Sequence, residues 1–239
     1  MQVLAIPGTL CAPRVFDRLA DRLEVAVTGV SWLTEPGQMD IPVVAERIVR
    51  RYPEPGLVLG HSTGGAIALY LAIKHPARVR GLMLVNTGAH TRGHGDIDRI
   101  VARVRDNWGP DLHAELIDRS FASPVDPVDR SELLTYAAAV PMAAVLAALR
   151  SQGELDFTPE LAEIRCPVTV VHGVLDTARP VEHAKQLADG IPDAHLRLVR
   201  TGHTPVYEAP DALAAEVRAL ISRCAPGQSP AGPRHSGAG

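Results

Sequence analysis

The chain reads as an α/β protein of about six mostly parallel strands flanked by helices, with a helical cap inserted after the strand ending near Asn86. Three observations predict this. Short apolar runs alternate with helix-period segments in both the first and the last third of the chain, as in parallel strand–helix–strand units. A glycine-flanked turn, Gly60-His61-Ser62-Thr63-Gly64, joins the apolar run Leu57-Val58-Leu59 to a small-residue helix beginning at Gly65. Residues 88–163 interrupt the alternation with helical patterns alone, among them Ile97, Ile100, Val101, Val104 and Trp108.

The strands are expected near 2–6, 24–31, 57–61, 80–86, 167–172 and 195–200. Val3-Leu4-Ala5-Ile6 opens the sheet and is followed by Pro7-Gly8-Thr9-Leu10, a loop that glycine lets pass close to its neighbours. Leu82-Met83-Leu84-Val85 ends in Asn86, which carries no charge. Pro167-Val168-Thr169-Val170-Val171 is β-branched, as a buried parallel strand requires, and runs into His172-Gly173-Val174-Leu175-Asp176 before Pro180 opens a helix. The last strand, Leu196 to Val199, leads to Thr201-Gly202-His203-Thr204-Pro205 and a helix with apolar spacing at Leu213, Val217, Leu220 and Ile221. The core is thus expected over 1–87 and 164–222, the cap over 88–163, and a disordered Gly/Pro/Ser-rich tail over 223–239.

The turn at Ser62 has chemical meaning because a serine placed between strand and helix on such a turn is strained and projects its hydroxyl. The residues two before and two after it must be nearly free of side chain, and Gly60 and Gly64 are. The N–H of Thr63 then sits at a helix N-terminus, where negative charge is stabilised. A serine nucleophile needs a base and the base needs an orienting acid. His203 and Asp176, each just after a later strand, are the candidates, with the Thr9 N–H as the second oxyanion donor and that of Leu10 next in line. Each of the three has a structural alternative: a helix cap for Ser62 and Asp176, a hydrogen-bonded core histidine for His203.

These motifs, with Cys166-Pro167-Val168 and Gly202-His203-Thr204-Pro205-Val206-Tyr207-Glu208-Ala209-Pro210, resemble the α/β-hydrolase superfamily, and most of all its small bacterial enol-lactonases and carboxylesterases. The chain order Ser62, Asp176, His203 is that of this superfamily. The resemblance covers about residues 2–222 and departs in Pro7-Gly8, where many members have His-Gly, and in lacking two strands before the first. It implies a serine hydrolase that cleaves a small ester, lactone or thioester through an acyl-enzyme, with no metal or organic cofactor. Carbon–carbon bond hydrolysis, a cyclase or lyase reaction on the same residues, and a ligand receptor on this fold remain alternatives. Leu10, His61, Arg92 and Trp108 are the candidate substrate contacts.

Composition narrows the classes. At 239 residues and 46% hydrophobic the chain can bury one sizeable core with an insertion. The net charge of -3 and the absence of basic runs argue against nucleic acid, and no apolar stretch approaches the ~20 residues of a membrane span. The N-terminus has no secretory pattern and the three cysteines are far apart, so a cytoplasmic monomer or homodimer with reduced thiols and a small-molecule substrate is expected. The His- and Asp-containing stretch from His90 to Asp98 matches no strong metal motif and reads as a polar hinge into the cap.

Overall fold

The computed structural model describes residues 1–93 and 95–225. Most of the tail, from residue 226, and His94 lie outside the described residues. Six strands form one parallel sheet: β1 (Val3–Ile6), β2 (Val27–Gly29), β3 (Gly56–His61), β4 (Val79–Val85), β5 (Val168–Gly173) and β6 (Ala194–Val199). Their order is β2-β1-β3-β4-β5-β6. From β1 the chain steps first to one side and then to the other, so the order reverses between β1 and β3, where α/β sheets open a crevice at their carboxyl ends. The register aligns those ends, pairing Ile6 with Gly60 and His61 with Val85.

The helices are α1 (Asp17–Ala20), α2 (Ile41–Arg51), α3 (Thr63–Lys74), α4 (Ile97–Asp106), α5 (Pro110–Asp118), α6 (Pro127–Ala139), α7 (Met142–Glu154), α8 (Val181–Gly190), α9 (Pro205–Glu208) and α10 (Pro210–Arg223). Proline stands at the first turn of α5, α6, α9 and α10, where its missing N–H costs nothing. α3 is apolar around most of its circumference because it packs on β3 and β4 and also against α2. Ile67, Ala68 and Leu69 have no solvent exposure, so this helix is held by burial rather than by an amphipathic stripe. β5 is buried along its whole length, as its β-branched run requires.

Helices α4 to α7 stand between β4 and β5, where the cap is expected. α4 packs on α7, α5 on α6, and α7 reaches back to α2 and α3. Tyr207 in α9 donates from its hydroxyl to Asp129 in α6 at 2.6 Å, and Arg18 binds the same carboxylate at 2.7 Å, tying the inserted helices to the core. β2 is shorter than the sequence suggests. Among the described residues it is an edge strand paired with β1 alone, in a register of Val3↔Val27 to Ala5↔Gly29, with a last bond from the Val30 N–H to the Ala5 carbonyl. The final helix runs through Arg223, whose guanidinium donates to the Val168 and Asp193 carbonyls, so the ordered chain extends past residue 222.

Candidate active site

Ser62 sits between β3 and α3 with φ 54° and ψ −121°, a backbone conformation that side-chain-bearing residues rarely adopt. The glycines around it make the turn possible by close approach. A Cβ on Gly60 would meet the Gly64 carbonyl oxygen at 2.5 Å and Ala68 Cβ at 2.6 Å, and one on Gly64 would run into the carbonyls of Ile6 and Pro7. The Ser62 N–H donates to the Val85 carbonyl at 3.0 Å, locking the turn to β4.

The three candidate residues come together. The Ser62 hydroxyl is 2.9 Å from His203 Nε2, and His203 Nδ1 is 2.7 Å from Asp176 Oδ2. With Nδ1–H donating to the carboxylate, Nε2 of the neutral ring is left to accept the serine proton. The Asp176 side chain is fully buried. Burial alone raises a carboxyl pKa, but the His203 hydrogen bond and charge, the Asn86 amide and the Ala178 N–H outweigh it and hold Asp176 well below the usual carboxylate range. Glu208 holds the His203 turn in place, accepting from the Gly202 N–H at 3.0 Å and the Ala122 N–H at 2.8 Å.

Asn86, at a φ of 45°, is a residue whose part the sequence does not announce. Its Nδ2 donates to Asp176 Oδ2 at 2.6 Å while its Oδ1 accepts from the Gly173 N–H at 3.2 Å. The end of β4 thus supplies a donor to the acid at the end of β5.

On the other side of Ser62, Gly8 passes so close that a Cβ there would lie 2.8 Å from Ser62 Cβ. Among the described residues the backbone N–H groups of Thr9, Leu10 and Thr63 take no hydrogen-bond partner. Leu10 is left-handed at φ 59°, which turns the loop over the serine. The hydroxyls of Thr9 and Thr63 are 2.8 Å apart, and Thr63 Oγ1 donates to Gln152 Oε1 at 3.1 Å. The proton of Thr63 being so used, Thr9 donates to Thr63, and one chain of hydrogen bonds runs from β1 through α3 to α7. Gln152 is a second contributor invisible in the sequence pattern, 89 residues from Thr63.

His61 backs the site. Its Nε2–H donates to the His203 carbonyl at 2.8 Å, and burial, then the neighbouring His203, push its pKa down to about 3. Burial lowers the buried His172 and His183 as well. A histidine that stays neutral when folded but takes a proton near 6.5 when unfolded makes the unfolded chain the better proton binder. Stability from these residues is therefore present above that value and is lost as the pH falls below it. The urea midpoint is expected to fall between about pH 7.5 and about pH 5, and to fall less in His61→Gln, which keeps a donor for the His203 carbonyl. Equal midpoints for the native protein at the two pH values would refute this.

Ser62 and His203 open into a cavity of about 660 Å³ walled by aliphatic side chains such as Leu10, Val104, Leu112, Leu133, Val145 and Leu149. Thr9, Thr63 and His61 also line it. Two expected contacts are corrected. Arg92 faces out and pairs with Asp156 at 2.7 Å, and Trp108 stacks edge-on against His113, ring centroids 4.6 Å apart; neither belongs to the cavity wall.

Residues 3–216 match the alpha/beta hydrolase family. A pimeloyl-[acyl-carrier protein] methyl ester esterase of Chromobacterium violaceum is 28% identical over 222 residues, covering 80% of this chain and 82% of that protein. A hydrolase structure from Pseudomonas aeruginosa superposes with a TM-score of 0.82 at 20% identity, covering 92% of this chain and 89% of the other. The enol-lactonase of Burkholderia xenovorans gives 0.82 at 17% identity, with 92% and 91% covered. At those identities the two structures speak to the fold alone. With the family match spanning nearly the whole described chain, and a sheet whose order reverses beside a strained serine turn, the chain belongs to the alpha/beta hydrolase family.

Proposed function

We propose that this enzyme hydrolyses a small carboxylic ester or lactone through an acyl-enzyme on Ser62. The observation that carries the reading is the continuous line from the Ser62 hydroxyl to His203 to Asp176, at 2.9 and 2.7 Å. His203 Nε2 takes the serine proton as the oxygen attacks the carbonyl carbon. Asp176, already ionised, stabilises the imidazolium that forms. The N–H groups of Thr63 and Thr9 receive the oxyanion, where two well-placed donors contribute several kcal/mol, about 3 for each. His203 then returns its proton to the departing alkoxide, and water repeats the cycle on the acyl-enzyme. The name of the sequence relative, a methyl ester esterase, supports ester chemistry for this chain.

The reading is tested with a series of p-nitrophenyl esters and simple lactones, together with a fluorophosphonate probe. Turnover and labelling at Ser62 are expected. No turnover with labelling intact would leave the nucleophile competent and the substrate class wrong, whereas neither turnover nor labelling would end the hydrolase reading. Gln152→Ala is expected to reduce kcat about tenfold with KM changed less than about threefold, because it loosens the oxyanion side of the site and not ground-state binding. A kcat equal to that of the parent would remove Gln152 from the machinery.

A further inference from the structure

The cavity wall is electrically unlike the rest of the molecule. The chain carries a net charge of -3. Yet the charged side chains that line the cavity are Arg99, Arg103, Arg119 and Arg179 against the single acid Asp96. Asp96 is already engaged, accepting the Asp98 and Arg99 N–H groups at the start of α4. Arg103 is paired with Glu115 across α4 and α5. Among the described residues, Arg99 and Arg119 have no ion pair or side-chain hydrogen bond; the exposed Arg50, Arg80, Arg150 and Arg200 share this, but only Arg99 and Arg119 of these six line the cavity.

Arg179 makes the asymmetry costly. It is only 3% exposed, and its guanidinium bonds to neutral groups, His183 Nδ1 at 2.9 Å and the His90 carbonyl at 3.4 Å. Its Nε has no partner. The oxygens of Asp176 are taken by His203, Asn86 and the N–H groups of Ala178 and Arg179, so no carboxylate touches the Arg179 side chain. A buried cation without a contacting anion is unfavourable by itself, and the free protein tolerates it where a bound anion can offset it.

Resting on the hydrolase reading above, we infer that the substrate carries a carboxylate in addition to its scissile ester, joined to it by a short aliphatic spine. The spine lies along the leucine and valine wall, the ester reaches Ser62, and the carboxylate is held by Arg99 and Arg119 of the α4–α5 wall with Arg179 adding its charge from the β5–α8 loop. Guanidinium is suited to this because it pairs with a carboxylate bidentately and is weakly hydrated.

Monoethyl adipate and ethyl hexanoate differ only in a carboxylate for a terminal methyl, and both are read by pH-stat titration. At low salt the native protein is expected to show a kcat/KM at least about tenfold higher for the half-ester, a preference that shrinks as salt screens the charges. In Arg99→Gln/Arg119→Gln the ratio of the two is expected to fall at least about tenfold, mainly through the KM of the half-ester. A native preference for ethyl hexanoate, or an unchanged ratio in the double variant, would overturn the inference while leaving the ester hydrolase intact. If neither ester is turned over and the fluorophosphonate probe does not label Ser62, the hydrolase reading fails separately. Calorimetric binding to Ser62→Ala then still decides the charge question, with tighter binding of monoethyl adipate than of ethyl hexanoate expected and equal binding counting against it. A phosphate on a carrier arm shares the anionic chemistry. Competition by free adipate is expected, and competition by coenzyme A without competition by adipate would overturn the carboxylate assignment.

Discussion

Ser62→Ala is expected to lower kcat/KM for ester hydrolysis by roughly 10⁴-fold or more, because the nucleophile and its partners act as a unit and removing one removes nearly all covalent catalysis. Cavity binding survives the change, since the aliphatic wall and the arginines are untouched. The two measurements to compare are turnover of a p-nitrophenyl ester and affinity for a non-hydrolysed analogue. A residual rate within about tenfold of the parent would show that Ser62 is not the nucleophile. The same position yields a stability result. At φ 54° and ψ −121° any Cβ is strained, by about 1–3 kcal/mol, and only glycine is relieved of it. Ser62→Gly is therefore expected to unfold at a higher urea concentration than Ser62→Ala, by about 1 kcal/mol, even though glycine loses more backbone entropy on folding. A glycine variant weaker than the alanine one would mean that the turn stores no strain.

The second large effect concerns the acid. Asp176→Asn is expected to cost on the order of 10³–10⁴ in kcat/KM, since an amide offers the His203 Nδ1–H no anion and favours the wrong tautomer. What makes this site unusual is Asn86. Its Nδ2 and His203 Nδ1 converge on the same oxygen, Asp176 Oδ2, at 2.6 and 2.7 Å. A carboxylate at position 86 therefore reaches the neighbourhood of His203, and an amide at 176 can replace the donor. Asn86→Asp alone sets two carboxylates side by side, raising the pKa of one and lowering stability. Combined with Asp176→Asn, it is expected to recover at least about tenfold of the lost rate, a coupling visible only in a double-mutant cycle. A double variant no better than Asp176→Asn would mean that the β4 position cannot orient the histidine.

The sequence made Ser62 easy to see because the demands on it are local: two glycines, a preceding strand and a following helix within a dozen residues. Asp176 and His203 were legible because parallel strands bring their carboxyl ends to one edge, so residues just past β5 and β6 had to meet there. In the sequence Asn86 shows only its lack of charge, since it donates to a residue 90 positions away. Gln152 and Arg179 were silent for the same reason. A helix pattern says which face is apolar, but not which polar residue at its margin turns inward. Arg92 and Trp108 failed in reverse. Arg92 precedes α4 and finds Asp156, and Trp108 precedes Gly109, whose φ of 157° residues with side chains rarely adopt, and meets His113 edge-on rather than the cavity.

The hydrogen-bond chain from Thr9 through Thr63 to Gln152 has a practical meaning for anyone wishing to retarget this enzyme. α7 lies both in the wall of the cavity, through Val145 and Leu149, and at the end of that chain, through Gln152. Redesign of α7 to admit a bulkier acyl group would therefore disturb turnover along with selectivity. The α5–α6 pair offers Leu112 and Leu133 to the same cavity with no bond to either threonine. Breadth of substrate can be sought at Leu112 and Leu133 without touching that chain, provided that Ser120 and Ala122, which bond to Thr204 and Glu208 beside His203, are kept, so the two halves of the insertion are unequal starting points for directed evolution.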